Sequence, residues 1–162
     1  HTDVTLPVIA QNTDVFYIGG TKVGALFGEA VVFPNQALAE DFRYIIKQKG
    51  GMLAKGRFLG IQFLELFRDG LYFEISKHAI EMAILKHGVQ ALGIPFFMES
   101  DTNQQFLILP EEKIRALREE YSFAYIQPYD ENSGVIRFCT SWATKECDVR
   151  KLLEDLEKLM AQ

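Results

Sequence analysis

Asp14-Val15-Phe16-Tyr17-Ile18-Gly19-Gly20-Thr21-Lys22-Val23-Gly24-Ala25-Leu26-Phe27-Gly28-Glu29-Ala30-Val31-Val32-Phe33 carries the strongest structural signal in the chain. Residues 14–18 read as a short buried strand. Residues 30–33 read as a second one, apolar throughout, as strands covered on both faces are. Between them Gly19, Gly20, Gly24 and Gly28 keep side chains away from a single lysine. Glycine permits tight turns and the close approach of a backbone or ligand. A lysine at the end of a buried strand loses part of its hydration, so its amine can be neutral and nucleophilic. Such an amine forms Schiff bases with aldehydes, pyridoxal phosphate among them.

A plain solvated hairpin turn is the other reading of Gly-Thr-Lys. Two further motif readings fail. A P-loop needs Ser or Thr after its lysine, and Lys22 is followed by Val23. Gly20, Gly24 and Gly28 have the small-xxx-small spacing of membrane helices, but Lys22 and Glu29 interrupt any span.

At 162 residues, 48% apolar, the chain has the length and composition of one globular domain, or one and part of another. The net charge of −5 is spread without a basic stripe, which argues against nucleic acid as a partner. No apolar window reaches transmembrane length without a charge, so no membrane partner is expected. Cys139 and Cys147 make neither a disulfide framework nor a metal-ligand pattern; they read as reduced thiols of a cytoplasmic protein without a metal.

On either side of the lysine stretch, periodicity and punctuation set out the elements. A helix is expected over 36–49, with Leu38, Phe42, Ile45 and Ile46 on one face and Gly50-Gly51 ending it. Another is expected over 52–67, with Leu53, Ile61, Leu64 and Phe67 as its apolar positions. The longest is expected over 71–92, with Ile75, Ala79, Met82 and Val89 on one face, broadened by Ile80, Ala83 and Ile84. From Pro95 onward the pattern is strands at 96–98 and 105–109, a helix over 110–120, strands at 123–127 and 135–139, and a last helix capped by Thr144. Leu152, Leu153, Leu156 and Leu159 form that helix's buried face. The result is a ββαββα unit, a helix layer on a mostly antiparallel sheet. Tyr17 reads as core, and Trp142 as core or interface. His78 and His87 lie nine residues apart on a helix, on opposite sides, and read as structural or solvated.

The run from Tyr17 to Leu26, with Gly28-Glu29-Ala30-Val31-Val32, resembles the lysine segment of the threonine aldolase / β-eliminating lyase family, pyridoxal-phosphate enzymes of fold type I. Ile136-Arg137-Phe138-Cys139-Thr140-Ser141-Trp142 also resembles that family near its C-terminal end, in the family's order and at about its separation. Family members are longer, with the lysine past their midpoint. The resemblance therefore implies an α/β chain that is the C-terminal part of a fold type I transferase-like large domain followed by a small α+β domain. Residues 1–50 would end the large cofactor-binding domain, 51–93 would be connecting helices, and 94–162 the small domain. The aspartate expected on the pyridine nitrogen would precede His1, so this fragment alone should be inactive.

The activity implied is cleavage of a β-hydroxy-α-amino acid to glycine and an aldehyde by a pyridoxal-phosphate-dependent lyase, through a Schiff base on Lys22. The assembly implied is a homodimer or homotetramer. The resemblance carries further residues with it. Thr21 and the Gly19-Gly20 amides would bond the phosphate or fix the lysine; the other reading is turn geometry alone. Lys55 or Arg57 would reach the phosphate, or form a solvated helix start. Arg137 lies between apolar neighbours, where an arginine is costly to bury unpaired. Its fork suits an α-carboxylate, and it would bind the substrate's, unless it faces outward on the wet side of a sheet. Two alternatives stand beside the aldolase: β-elimination from another amino acid, and a non-catalytic α/β module that binds a partner.

Overall fold

A computed structural model describes residues 2–82 and 84–161. The chain divides into two units, His1–Glu74 and Ile75–Gln162. In the first, helix α1 (Leu6–Asn12) carries Pro7 in its opening turn, where a missing N–H costs nothing. Strand β1 (Phe16–Gly19) pairs antiparallel with β2 (Glu29–Val32), Tyr17 opposite Val31 and Gly19 opposite Glu29. This corrects the expectation of strands covered on both faces. A two-stranded antiparallel ribbon shelters alternate residues only, and Tyr17, expected in the core, is 70% exposed.

The helix expected over 36–49 is two pieces: a tight turn at Gln36–Ala39 and α2 (Phe42–Gln48). Asp41 between them is left-handed at φ 57°, a conformation aspartate tolerates better than most residues. Helix α3 spans Arg57–Phe67, starting later than expected. Its sheltered face also differs from the expected one. Leu66 is buried and Leu59, Gln62 and Phe63 are half-buried, while Ile61 and Leu64 are 50% and 59% exposed. The helix is apolar on nearly every side, so periodicity could not select a face.

The helix expected over 71–92 is broken into α4 (Leu71–Glu81) and α5 (Ile84–Ala91), with no glycine or proline between them to announce the break. Its apolar face holds: Ala79, Met82 and Val89 are buried. Ala83, expected on that face, lies outside the described residues.

The second unit continues with β3 (Phe96–Met98), β4 (Gln104–Pro110), α6 (Glu111–Leu117), β5 (Ala124–Pro128), β6 (Ser133–Cys139) and α7 (Glu146–Met160). The sheet has the order β3-β4-β6-β5, every pair antiparallel. Along β4 burial alternates strictly, and Leu107 and Leu109 share the core with Ile136 and Phe138 of β6, Val89 of α5 and Leu152 and Leu156 of α7. The longest helix is α7, at 15 residues. Thr144 does not cap it; Lys145 holds that place, and the Thr144 hydroxyl accepts the Ser141 N–H at 2.8 Å. No helix among the described residues is long and apolar enough to cross a membrane.

Two stability results follow from this packing. Ile136 is fully buried on the central strand, so Ile136→Val should cost about 1 kcal/mol in denaturant unfolding. The Tyr121 hydroxyl donates to Asp155 Oδ2 at 2.6 Å. Burial first, then that bond, pushes the Tyr121 phenol up to about 12 from an ordinary value of 10.0. A raised folded value means the folded state keeps its proton longer, so this contribution is intact below pH 10.0 and lost toward about 12. Tyr121→Phe should flatten the fall in stability over that window, measured by urea unfolding at a series of pH values.

Candidate active site

The lysine turn is a tight helical turn, Thr21–Val23, set between β1 and a loop running to Gly28. Two bonds to one carbonyl close it: Val23 N–H and Ala25 N–H donate to Gly20 O at 3.1 and 3.0 Å. Gly24 and Gly28 lie at φ 96° and 91°, where a β-carbon is strained. Gly20 is buried beneath the Phe63 ring; an added β-carbon would lie 2.9 Å from Phe63 Cζ. Val23 is buried while its neighbour Lys22 is exposed.

Lys22 is exposed, and its amine takes part in no hydrogen bond or ion pair among the described residues. The dehydration expected of a lysine at the end of a buried strand is thus not provided by these residues, because β1 is half-exposed. Thr21 is exposed as well, its hydroxyl without a hydrogen-bond partner among the described residues.

Helix α3 seats the loop. Leu59 fills the place a β-carbon of Gly28 would take, at 2.4 Å. Gln62 Oε1 accepts the Leu26 N–H at 2.7 Å, and its Nε2 donates to Phe27 O at 3.4 Å and Phe58 O at 3.1 Å. From the other side the Tyr72 hydroxyl donates to Gly19 O at 3.0 Å, and the Tyr72 ring stacks on Phe67 at 5.0 Å. Burial holds the Tyr72 phenol above its ordinary value, so the donor keeps its proton. The same helix begins at Arg57, directly after the turn that holds Lys55. Both cations are exposed and neither forms an ion pair among the described residues. The first unit thus carries Gly20, Thr21 and Lys22 on the turn and its loop, and Arg57 at the start of the helix that contacts that loop.

Arg137 belongs to the second unit, on β6 opposite Phe106 of β4 and Ala124 of β5. The core residues Ile136 and Phe138 point to the helices, so Arg137 is on the opposite face of the sheet. It is nevertheless half-buried. Its Nη1 donates to Gln104 Oε1 at 3.1 Å, while its Nε is buried with no partner. A buried N–H left over beside a held guanidinium is a costly feature, and a bidentate carboxylate is the group that relieves it.

The other residues singled out in the sequence have simpler roles. His78 Nε2 meets Thr144 O at 2.9 Å, a structural contact, and His87 is exposed. Trp142 is 52% exposed, which corrects the core reading. Sequence reasoning missed Gln62, Tyr72 and Gln104. Gln62 did leave a signal, an amide between Leu59, Phe63 and Leu66 on one helical stripe.

No protein-family model matches the chain. It is 36% identical over 154 residues to a low specificity L-threonine aldolase of a Pseudomonas species, and 35% identical over 153 residues to one of Pseudomonas aeruginosa. Each match covers 91% of the chain but only 42% of the relative. Among solved structures, a threonine aldolase of Leishmania major superimposes with a TM-score of 0.94 at 43% identity, covering 98% of this chain and 46% of that one. A serine palmitoyltransferase of Sphingomonas wittichii, at a TM-score of 0.58 and 13% identity over 92% of this chain and 40% of that one, shares the fold alone. So does an 8-amino-7-oxononanoate synthase of Francisella tularensis, at 0.53 and 14% over 82% and 41%.

Proposed function

From a chain related to the threonine aldolases, with the α/β fold of the fold type I pyridoxal-phosphate enzymes, we infer the C-terminal part of a lyase that cleaves a β-hydroxy-α-amino acid to glycine and an aldehyde. The observation that carries this reading is the Lys22 turn: a primary amine with no hydrogen-bond or ion-pair partner among the described residues, on a turn that closes at the left-handed Gly24, with the Thr21 hydroxyl beside it. The donor set fits pyridoxal phosphate, which needs an amine for its aldehyde and cations for its phosphate.

Lys22 would hold the cofactor through Nζ. Thr21 and the Gly19-Gly20 backbone would fix that lysine or meet the phosphate, and Lys55 or Arg57 would neutralise it. When bound, the cofactor supplies an electron sink for the pair left at Cα when a bond there breaks. The chain's own residues have three tasks. Arg137 grips the α-carboxylate with its Nε and a neighbouring nitrogen, its plane held by Gln104. The Lys22 amine, once free of the cofactor, takes a proton from the β-hydroxyl or returns one to Cα. The loop fixed by Gly24 and Gly28 keeps that amine in one place through both steps.

The chain spans about two fifths of the length of the curated relatives it matches. The reading therefore includes further walls of the site from polypeptide beyond these residues, and a division into 1–50, 51–93 and 94–162. It also includes a cytoplasmic homodimer or homotetramer. The exposed apolar residues Tyr17, Leu26, Phe58 and Leu64 of the first unit support burial against other polypeptide.

The test is direct. The protein is loaded with pyridoxal phosphate, reduced with borohydride, digested and weighed. The phosphopyridoxyl mass is expected on the peptide containing Lys22; attachment at another lysine, or none, would sink the reading.

A further inference from the structure

We propose that Gln62 is a positioning residue for Lys22: its side-chain amide fixes the loop that sets where the amine stands. The inference rests on the reading that Lys22 is the cofactor's anchor. The loop from Gly24 to Gly28 begins and ends in left-handed glycines, and Leu26 within it is 84% exposed. What α3 presents to Gly20 and Gly28 is hydrocarbon, the Phe63 ring and the Leu59 side chain. Those contacts hold the loop close to the helix but do not define its rotation or register, because dispersion has no direction.

Gln62 supplies direction. Its Oε1 accepts from Leu26 N–H at 2.7 Å and its Nε2 donates to Phe27 O at 3.4 Å, so one amide reads two successive loop residues as acceptor and donor. The remaining donor is spent on Phe58 O at 3.1 Å, one helical turn back, which locks the amide to its own helix. Both N–H donors and one oxygen lone pair are therefore used, and a displacement of the loop breaks its two bonds to the amide together. Lys22 sits two residues before Gly24 and has no partner of its own. Tyr72 holds Gly19 O before the lysine, the turn's own N–H groups hold Gly20 O, and Gln62 is the side chain that adds directional bonds to the loop after it.

The experiment compares Gln62→Met and Gln62→Glu in the holoenzyme. Met keeps the bulk and removes every bond. Glu keeps the acceptor, but its carboxylate faces the Phe27 and Phe58 carbonyls at neutral pH and can donate again once protonated. Three things are measured: thermal midpoint, the pH titration of the lysine-linked chromophore, and the acylation rate of Lys22 in the cofactor-free protein by acetic anhydride, read by peptide mass.

With melting little changed, Gln62→Met should alter chromophore formation and Lys22 acylation about tenfold, the worth of one or two such bonds. Gln62→Glu should share that defect at neutral pH and recover toward wild type as pH falls. Wild-type values in a folded Gln62→Met would overturn the proposal, and so would equal defects in both variants at every pH, which would mean packing alone. If the cofactor maps to another lysine, the functional reading fails first. The acylation rates then still decide whether Gln62 governs the Lys22 amine.

Discussion

Lys22→Ala should leave a folded protein that forms no lysine-linked chromophore and has lost on the order of 10⁴-fold or more in turnover, the scale seen when a covalent catalyst loses its own nucleophile. The fold should survive because Lys22 is exposed and makes no hydrogen bond or ion pair among the described residues that alanine would remove. What keeps the turn in shape is the pair of bonds to Gly20 O and the buried Val23 side chain, and both remain. Lys22→Arg is the sharper control, since a guanidinium keeps the charge but cannot serve as the amine. Retained turnover in either variant, with the protein folded, would show that the glycine-flanked turn is only a turn. Absorbance, circular dichroism and steady-state rates together separate these outcomes.

Arg137→Ala should reduce kcat/KM for the amino acid about 10²- to 10³-fold, the loss of two charge-assisted hydrogen bonds to a carboxylate. Most of that should be in KM, because the carboxylate is gripped equally before and during bond cleavage. Arg137→Lys should recover little, since one ammonium cannot present two parallel N–H groups. The stability readout runs the other way. Arg137 Nε is buried without a partner in the folded chain, and an unsatisfied buried donor destabilises. Arg137→Leu should therefore unfold at equal or higher denaturant while binding substrate poorly. A structural arginine would do the reverse, losing stability with little change in KM. Gln104, which accepts from Nη1 at 3.1 Å, orients the fork, so Gln104→Ala should raise KM by a smaller factor.

The second unit was the more legible part of the chain. Its ββαββα order and the leucine stripe of α7 follow from local rules, and the unit buries those patterns within itself, although α6 starts at Glu111, one residue after the proline expected to open it. The first unit followed such rules poorly. Its helices and strands are apolar on more than one side, so neither period 2 nor period 3.6 names the sheltered face, as Ile61 and Leu64 show. The break at Asp41 falls where no glycine or proline marks it, and in the second unit so does the one between Glu81 and Ile84. Among the candidate site residues, Lys22, Thr21 and Gly20 stood out through glycine spacing, a strictly local feature. Gln62 and Tyr72 did not, because they act on residues 36 and 53 positions away.

Local chemistry in the chain was enough to identify the turn that carries the lysine, the arginine placed among apolar strand residues and the ββαββα order of the second unit, and the motifs at Lys22 and Arg137 carried the resemblance to threonine aldolases. Folding in three dimensions was needed to assign the exposed face of β1, the working face of α3, the amide that clamps the lysine loop, and the unpaired nitrogen of Arg137. The division has one cause. Turn and strand preferences are written in neighbouring residues, whereas burial and hydrogen-bond partnership depend on which distant segments meet, and a helix apolar on every side leaves that choice open.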